Sequence, residues 1–327
     1  MPVANVPRRH HYVPRLLLKR FADSSGNLWT YDTELKKFWQ NSPASAAFEK
    51  NFYSLGMNSP APDHSKIENF LAEFVDAPGD SSIEQLLQRE MLAPEKWFDF
   101  IRFVAAQMQR TPSALDRLDL IHTPIFQEMV KRMPNDPNFN IGTKMSSLGV
   151  SQKDIDEYIE SIRSGDVKVK ASRDFLLAQG LDMIETITRE LMDMKWTFLE
   201  VMDAEPDLII GDHPVTLHDP DMPAHLGLKN KHIELLMPLS KRMVACARRS
   251  GPNSFGTLLE GMSEIINYRT LRNARRFVFS GFKSDVLLAR AIELRGTGPK
   301  TTSREVSYGK GKMIISEFGE QSPSAFS

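Results

Sequence analysis

The hydrophobic period of this chain changes once, near residue 195, and that switch decides which folds are open to it. Between residues 63 and 195, apolar side chains recur at helical spacing. Trp97, Ile101, Val104 and Met108 form one stripe, with Phe100 and Ala105 beside it; Leu177, Ile184, Ile187, Leu191 and Met194 form another over about 174–195. Arg110-Thr111-Pro112 is expected to end or kink the first of these helices, because a residue before proline avoids the α region. Beyond 195 the pattern turns strand-like at 197–202, 207–210, 233–237, 243–247 and 277–279, with one helix over about 257–275. Helices followed by strands, without alternation, point to an α+β fold.

The first 56 residues add a smaller opening piece. Residues 14–21 read as a short helix opened by Pro14, and Ser24-Ser25-Gly26-Asn27 breaks it. Leu28-Trp29-Thr30-Tyr31 and Lys37-Phe38-Trp39 flank a polar turn at 32–35 and read as a β-hairpin, with a short extended piece at 51–56. The expected α+β order is thus an N-terminal helix and β-hairpin (1–56), a central helical region (63–195) and a C-terminal mixed sheet with a helix (196–327). Residues 133–173, polar and marked by Pro134 and Pro137, read as an exposed insertion of short helices, a candidate lid. In the tail beyond Arg295, Met313-Ile314-Ile315 is the stretch able to dock as an edge strand. At ~150 residues per domain, the length allows one large domain or two small ones.

Lys and Arg total 41 against 42 Asp and Glu, so net charge alone points to neither nucleic acid nor a membrane. The single cysteine, Cys246, excludes a disulfide within the chain and a zinc site built on several thiolates. Lying in Met243-Val244-Ala245-Cys246-Ala247, it reads as a buried, inert thiol. Residues 1–13 mix prolines, Arg8, Arg9 and two histidines without an apolar core, unlike an export signal. No window approaches the ~20 apolar residues of a membrane helix. A soluble, cytoplasmic protein without a membrane partner is expected.

Chemistry-bearing residues lie in separate places. His10 and His11 precede Tyr12-Val13-Pro14 and are candidates for acid/base work or for holding a metal; the alternative is one ring packed or capping a helix and the other solvated. Asp212, in Gly211-Asp212-His213-Pro214, follows an apolar run expected to be a strand, so a carboxylate and an imidazole stand where scaffold meets loop. It can orient a histidine, bind a divalent metal ion or activate water; alternatively, it closes an Asx-turn. Gln107 and Arg110, three apart, share one side of a helix, where Arg110 suits an anion or a buried ion pair. Asn267, within a helix, is either a substrate contact or a buried amide holding a loop.

Residues 241–276 carry Lys241, Arg242, Arg248, Arg249, Arg269, Arg272, Arg275 and Arg276 against Glu260 and Glu264. Charge is therefore segregated although its total is balanced. Arg272 and Arg276, four apart and on one face if the helix reaches that far, are the candidate contacts to nucleic acid or another phosphate-containing ligand. No phosphate-binding P-loop, GxGxxG turn or GxSxG elbow occurs. His218, His225 and His232 fall seven apart in a proline-marked, loop-like stretch, where that interval has no structural meaning.

Several of these pieces together resemble a bacterial family, domain of unknown function 4238. They are His10-His11-Tyr12-Val13-Pro14 leading to Leu18-Lys19-Arg20-Phe21, Leu28-Trp29-Thr30-Tyr31-Asp32, Asn51-Phe52-Tyr53-Ser54-Leu55 and Gln107-Met108-Gln109-Arg110-Thr111-Pro112. Asp212-His213-Pro214 resembles the family's Ser-Asp-Asn-Pro turn, with glycine and histidine replacing serine and asparagine, and Pro238-Leu239-Ser240 and Ile266-Asn267 match its last pieces. The resemblance spans residues 10–280 and implies a single composite domain, not a reaction. A looser likeness is to HNH nucleases, which also begin a metal site with a histidine dyad. There a hairpin follows the dyad and a helix supplies Asn and His; here a helix follows, and Asn51 and His64 are the nearest such pair.

Two functions compete. In the first, folding gathers His10, His11, Gln107, Arg110, Asp212 and Asn267 into a composite site, a phosphodiester hydrolase acting on nucleic acid or a nucleotide, with a divalent metal ion held by His11 and Asp212. In the second, the same residues form a structural hydrogen-bond network and the protein is a non-enzymatic binding module. Substitution at His11 and Asp212 separates them.

Overall fold

In a computed structural model the described residues are 8–136, 139–308 and 311–320. Residues 1–7 of the segment read as no export signal, and Pro137 and Asn138 of the polar insertion, lie outside them. The fold is α+β. In chain order the first part holds β1 (Arg9–His11), α1 (Arg15–Lys19), β2 (Leu28–Asp32), β3 (Lys37–Asn41) and β4 (Phe48–Lys50). Helices α2 (Lys66–Leu71), α3 (Ala77–Leu87), α4 (Pro94–Gln109), α5 (Pro112–Arg132), α6 (Ile141–Ser147), α7 (Gln152–Ser164) and α8 (Arg173–Met192) follow, and a π-helical turn, Ala72–Asp76, joins α2 to α3. Then come β5 (Lys195–Glu200), β6 (Ile210–Gly211), β7 (Thr216–His218), β8 (Glu234–Ser240), β9 (Met243–Arg248) and β10 (Ser254–Thr257). The chain closes with α9 (Met262–Asn273), β11 (Phe277–Ser280), α10 (Asp285–Leu294), β12 (Lys300–Tyr308) and β13 (Gly311–Gly319).

Two compact units result. The first comprises the residues up to Leu115, Leu177–Lys300 and those from Phe318 onward; the second comprises Asp116–Leu176 and Thr301–Glu317. In the first unit a five-stranded sheet runs β10-β5-β9-β8-β7, antiparallel except for the β10–β5 pair, and so is mixed. Helix α4 lays the stripe read from the sequence onto one face: Trp97 and Phe100 meet Trp196 and Phe198 of β5 edge-on, with ring centroids 5.2–6.4 Å apart. The β8 and β9 interiors are buried throughout, which explains their continuous apolar runs. Cys246 of β9 is 2% exposed, and burial pushes its thiol up to about 12.

A second, antiparallel sheet, β3-β2-β11-β6, draws the N-terminal hairpin to a strand from the far end of the chain: Tyr31 faces Val278, and its hydroxyl donates to Phe282 O at 2.6 Å. Strand β1 pairs with β4, setting His10 opposite Glu49.

Three sequence expectations change. The helix expected over about 257–275 spans only Met262–Asn273, because Ala274 turns extended toward β11, so Arg276 lies beyond its end and does not share a helix face with Arg272. The 207–210 run yields strand only at Ile210–Gly211, because Leu208 and Ile209 turn their amides elsewhere, to Lys241 O and to the Asn267 side chain, each at 2.9 Å. Residues 51–56 are a turn rather than an extended piece: Asn51 has φ 59°, a left-handed conformation that asparagine tolerates better than most residues.

In the second unit, short helices fill the polar segment as expected, and Met313-Ile314-Ile315 pairs within the β12–β13 ribbon. Gln127 holds the connection before α8, donating to Val167 O at 2.7 Å and accepting from Val169 N at 3.0 Å.

Candidate functional site

Strand alternation sorts the histidine dyad. His10 points inward, fully buried, while His11 faces the other way and is half-buried. His10 Nδ1 accepts the Tyr53 amide at 2.7 Å, and its ring stacks on Tyr53 at 5.7 Å. The Tyr53 hydroxyl donates to Arg110 O at 2.8 Å and accepts from Arg110 Nε at 3.2 Å. Arg110 stands just past the end of α4, where Thr111-Pro112 stops the helix as expected. Its other two nitrogens reach Asp76 Oδ1 at 2.5 Å and His11 O at 2.9 Å. Burial opposes both charges of this pair, raising the Asp76 carboxyl; attraction to Asp76 and Tyr53 more than offsets burial at Arg110 and drives its pKa up.

The next residue extends the network, with Thr111 Oγ1 and His213 Nδ1 2.7 Å apart. Asp212 beside it is buried and accepts three backbone amides, from Arg275, Arg276 and Phe277, at 2.7–2.8 Å. Burial pushes its carboxyl up and the three amides oppose that rise. Asn267 bridges the chain before β6, accepting from Ile209 N and donating to Asp207 O, both at 2.9 Å. Arg276 grips Asp32 through two hydrogen bonds at 3.1 and 2.7 Å, and Arg272 reaches Thr297 O at 2.7 Å and Glu320 at 3.3 Å.

Two groups in this region are not fully paired. Gln107 is wholly buried, and neither of its amide atoms has a hydrogen-bond partner. Glu68 of α2 has its Oε2 buried without a partner; burial raises its carboxyl, with Arg110 and the His11 amide opposing. Burial lowers His11 to about 4, so its ring is neutral near pH 7, with Nε2 3.3 Å from Ala44 O. As a metal pair, His11 and Asp212 are otherwise engaged, one at a carbonyl and the other with three amides. Among the described residues no group of three or more His, Cys, Asp or Glu could hold a metal ion.

A different hollow opens at the ends of β7, β8 and β9. The sheet register sets His218 opposite Glu234 and Glu234 opposite Arg248, so the three side chains share one face. Arg269 rises from α9 to Glu234 Oε1 at 2.5 Å, while Arg248 binds Oε2 of the same carboxylate. Glu234 thereby holds two guanidiniums, and they hold its carboxyl below its ordinary value although burial opposes this. Lys231, His232 and Arg249 complete the wall of a pocket of about 350 Å³.

The pieces that carried the family resemblance are now seen in one unit, joined through Tyr53, Arg110 and the turn at Asp212. A family model described as a protein of unknown function, DUF4238, matches residues 9–284. The chain belongs to that family. No curated protein and no solved structure matches it. Among the described residues of this DUF4238 chain, no helix is long and apolar enough to cross a membrane.

Sequence reasoning brought His10, His11, Arg110 and Asp212 forward but missed the partners that define their environment. Asp76 lies 34 residues from Arg110 on a π-helical turn, and Glu68 sits on a six-residue helix; neither spacing carries a signal. The second hollow did have one in the clustered arginines at 248, 249 and 269, obscured by others in the same run that serve the framework.

Proposed function

We propose that this DUF4238 chain is a cytoplasmic binding module for a phosphate-bearing ligand, and that the residues carrying the family resemblance are its framework. One observation carries the reading: Arg110 commits all three guanidinium nitrogens, and Asp212 both carboxylate oxygens, to buried partners of the fold. Groups so committed stabilise the junction of segments remote in sequence and are not available to a substrate. The test is Asp212→Ala, followed by thermal and urea unfolding. Removing an acceptor of three buried amides is expected to cost about 3–5 kcal/mol. An Asp212→Ala protein that melts with the wild type refutes the framework reading.

The half-buried Glu68 and His11 support a second reading, phosphodiester hydrolysis of nucleic acid or a nucleotide. A neutral imidazole and a carboxyl with a raised pKa flank Arg110, the combination that acid/base catalysis uses. That reading expects turnover of a model phosphodiester, in the presence of a divalent metal ion, that is abolished in a folded His11→Ala protein. Absence of turnover leaves the binding module as the function.

A further inference from the structure

The pocket at the ends of β7, β8 and β9 belongs to none of the residues that carry the family resemblance. Resting on the binding-module reading, we propose that it seats the phosphate group of a small phosphate ester of the nucleoside-diphosphate class. Its volume of about 350 Å³ suits a small ligand, in the range typical of such sites. A nucleic acid duplex needs an extended basic face rather than a walled hollow.

The donors are set before a ligand arrives. Glu234 holds Arg248 through Nε and Nη2 and holds Arg269 through Nη1, fixing two guanidinium planes. Among the described residues, Arg248 Nη1 and Arg269 Nε and Nη2 have no hydrogen-bond partner, and Lys231 forms no ion pair. Arg269 thus keeps one fork, Nε with Nη2, able to match two phosphate oxygens, Arg248 adds the single donor Nη1, and a free ammonium adds a movable charge. Among the described residues Glu234 is the only acidic one lining the pocket, and Arg249 is held outside it by Glu190 at 3.1 Å, so Arg248, Arg269 and Lys231 stand against one carboxylate and a ligand bearing two negative charges fits. The organic part of the ester has a place as well. A smaller hollow of about 170 Å³ shares His218 and Arg269 with the pocket and offers Leu217, Ile265 and Tyr268 as apolar wall.

The experiment uses the full chain, titrated calorimetrically with ADP, inorganic pyrophosphate, succinate and a short single-stranded oligonucleotide, with melting temperatures recorded alongside. Lys231→Gln removes an exposed charge that has no partner, so it tests the site without disturbing the fold; Arg269→Gln removes a fixed donor. Lys50→Gln, an exposed lysine of β4 outside the pocket, is the control. ADP is expected to bind saturably and to be displaced by pyrophosphate. Lys231→Gln weakens binding about tenfold and Arg269→Gln weakens it further, while Lys50→Gln leaves it unchanged. Failure of both ADP and pyrophosphate to bind overturns the proposal. So does equal binding by wild type and Lys231→Gln, binding of succinate as tight as that of pyrophosphate, or binding of the oligonucleotide alone. None of these outcomes touches the framework reading, which stands or falls on the unfolding of Asp212→Ala.

Discussion

Replacing Arg110 by methionine tests most directly whether the family-resemblance residues hold the fold together. Arg110 is 4% and Asp76 9% exposed, so the substitution strands a carboxylate away from water. It also removes the donors to His11 O and to the Tyr53 hydroxyl. Breaking one side of a buried pair costs about 3–5 kcal/mol, most of it from the charge left behind. Asp76→Leu leaves the guanidinium stranded instead, with a loss of the same order. The double variant Arg110→Met/Asp76→Leu strands neither charge and is expected to be no less stable than either single variant, giving a coupling of about 3 kcal/mol or more. Urea unfolding followed by tryptophan fluorescence is the assay, since Trp29, Trp39, Trp97 and Trp196 all belong to the first unit. Losses that simply add in the double variant, or a single Arg110→Met loss below about 1 kcal/mol, would show that the pair is not buried as a unit and refute the reasoning.

Gln107→Leu works in the opposite direction: replacing a buried amide that has no partner by an apolar side chain of similar size is expected to stabilise the first unit by about 1–3 kcal/mol. A loss of stability in the same urea assay would mean that the amide is engaged. His11 makes stability depend on pH. Its folded pKa, about 4, lies below the ordinary 6.5, so the unfolded chain takes up the proton first and stability falls as pH drops from about 6.5 to 4. With the ring only half-buried, solvent screening limits that fall to on the order of 1–2 kcal/mol. It should shrink in His11→Gln, and an unchanged pH dependence in that variant counts against the assignment.

What the sequence makes legible here is local pattern, and what it hides is pairing across distance. The hairpin of β2 and β3 is readable because aromatics flank a polar turn, yet its sheet partner β11 lies some 240 residues later, and nothing in Leu28-Trp29-Thr30-Tyr31 announces that strand. The helix end at Arg110-Thr111-Pro112 is readable from proline stereochemistry. Its meaning depends on Asp76 and Tyr53, which share no period with it. The charge run at 241–276 shows why counting cations cannot find a site. Arg242 binds Asp207, Arg276 binds Asp32 and Arg249 binds Glu190, joining segments of the fold, whereas Arg248 and Arg269 share one carboxylate at a hollow. The histidines make the same point. Of His218, His225 and His232, only the first and last line that hollow, and His218 arrives because strand register sets it opposite Glu234, not because seven residues separate it from the next. A basic site in a chain of balanced charge is therefore a product of register and of which acids are already taken, two quantities that exist only after folding.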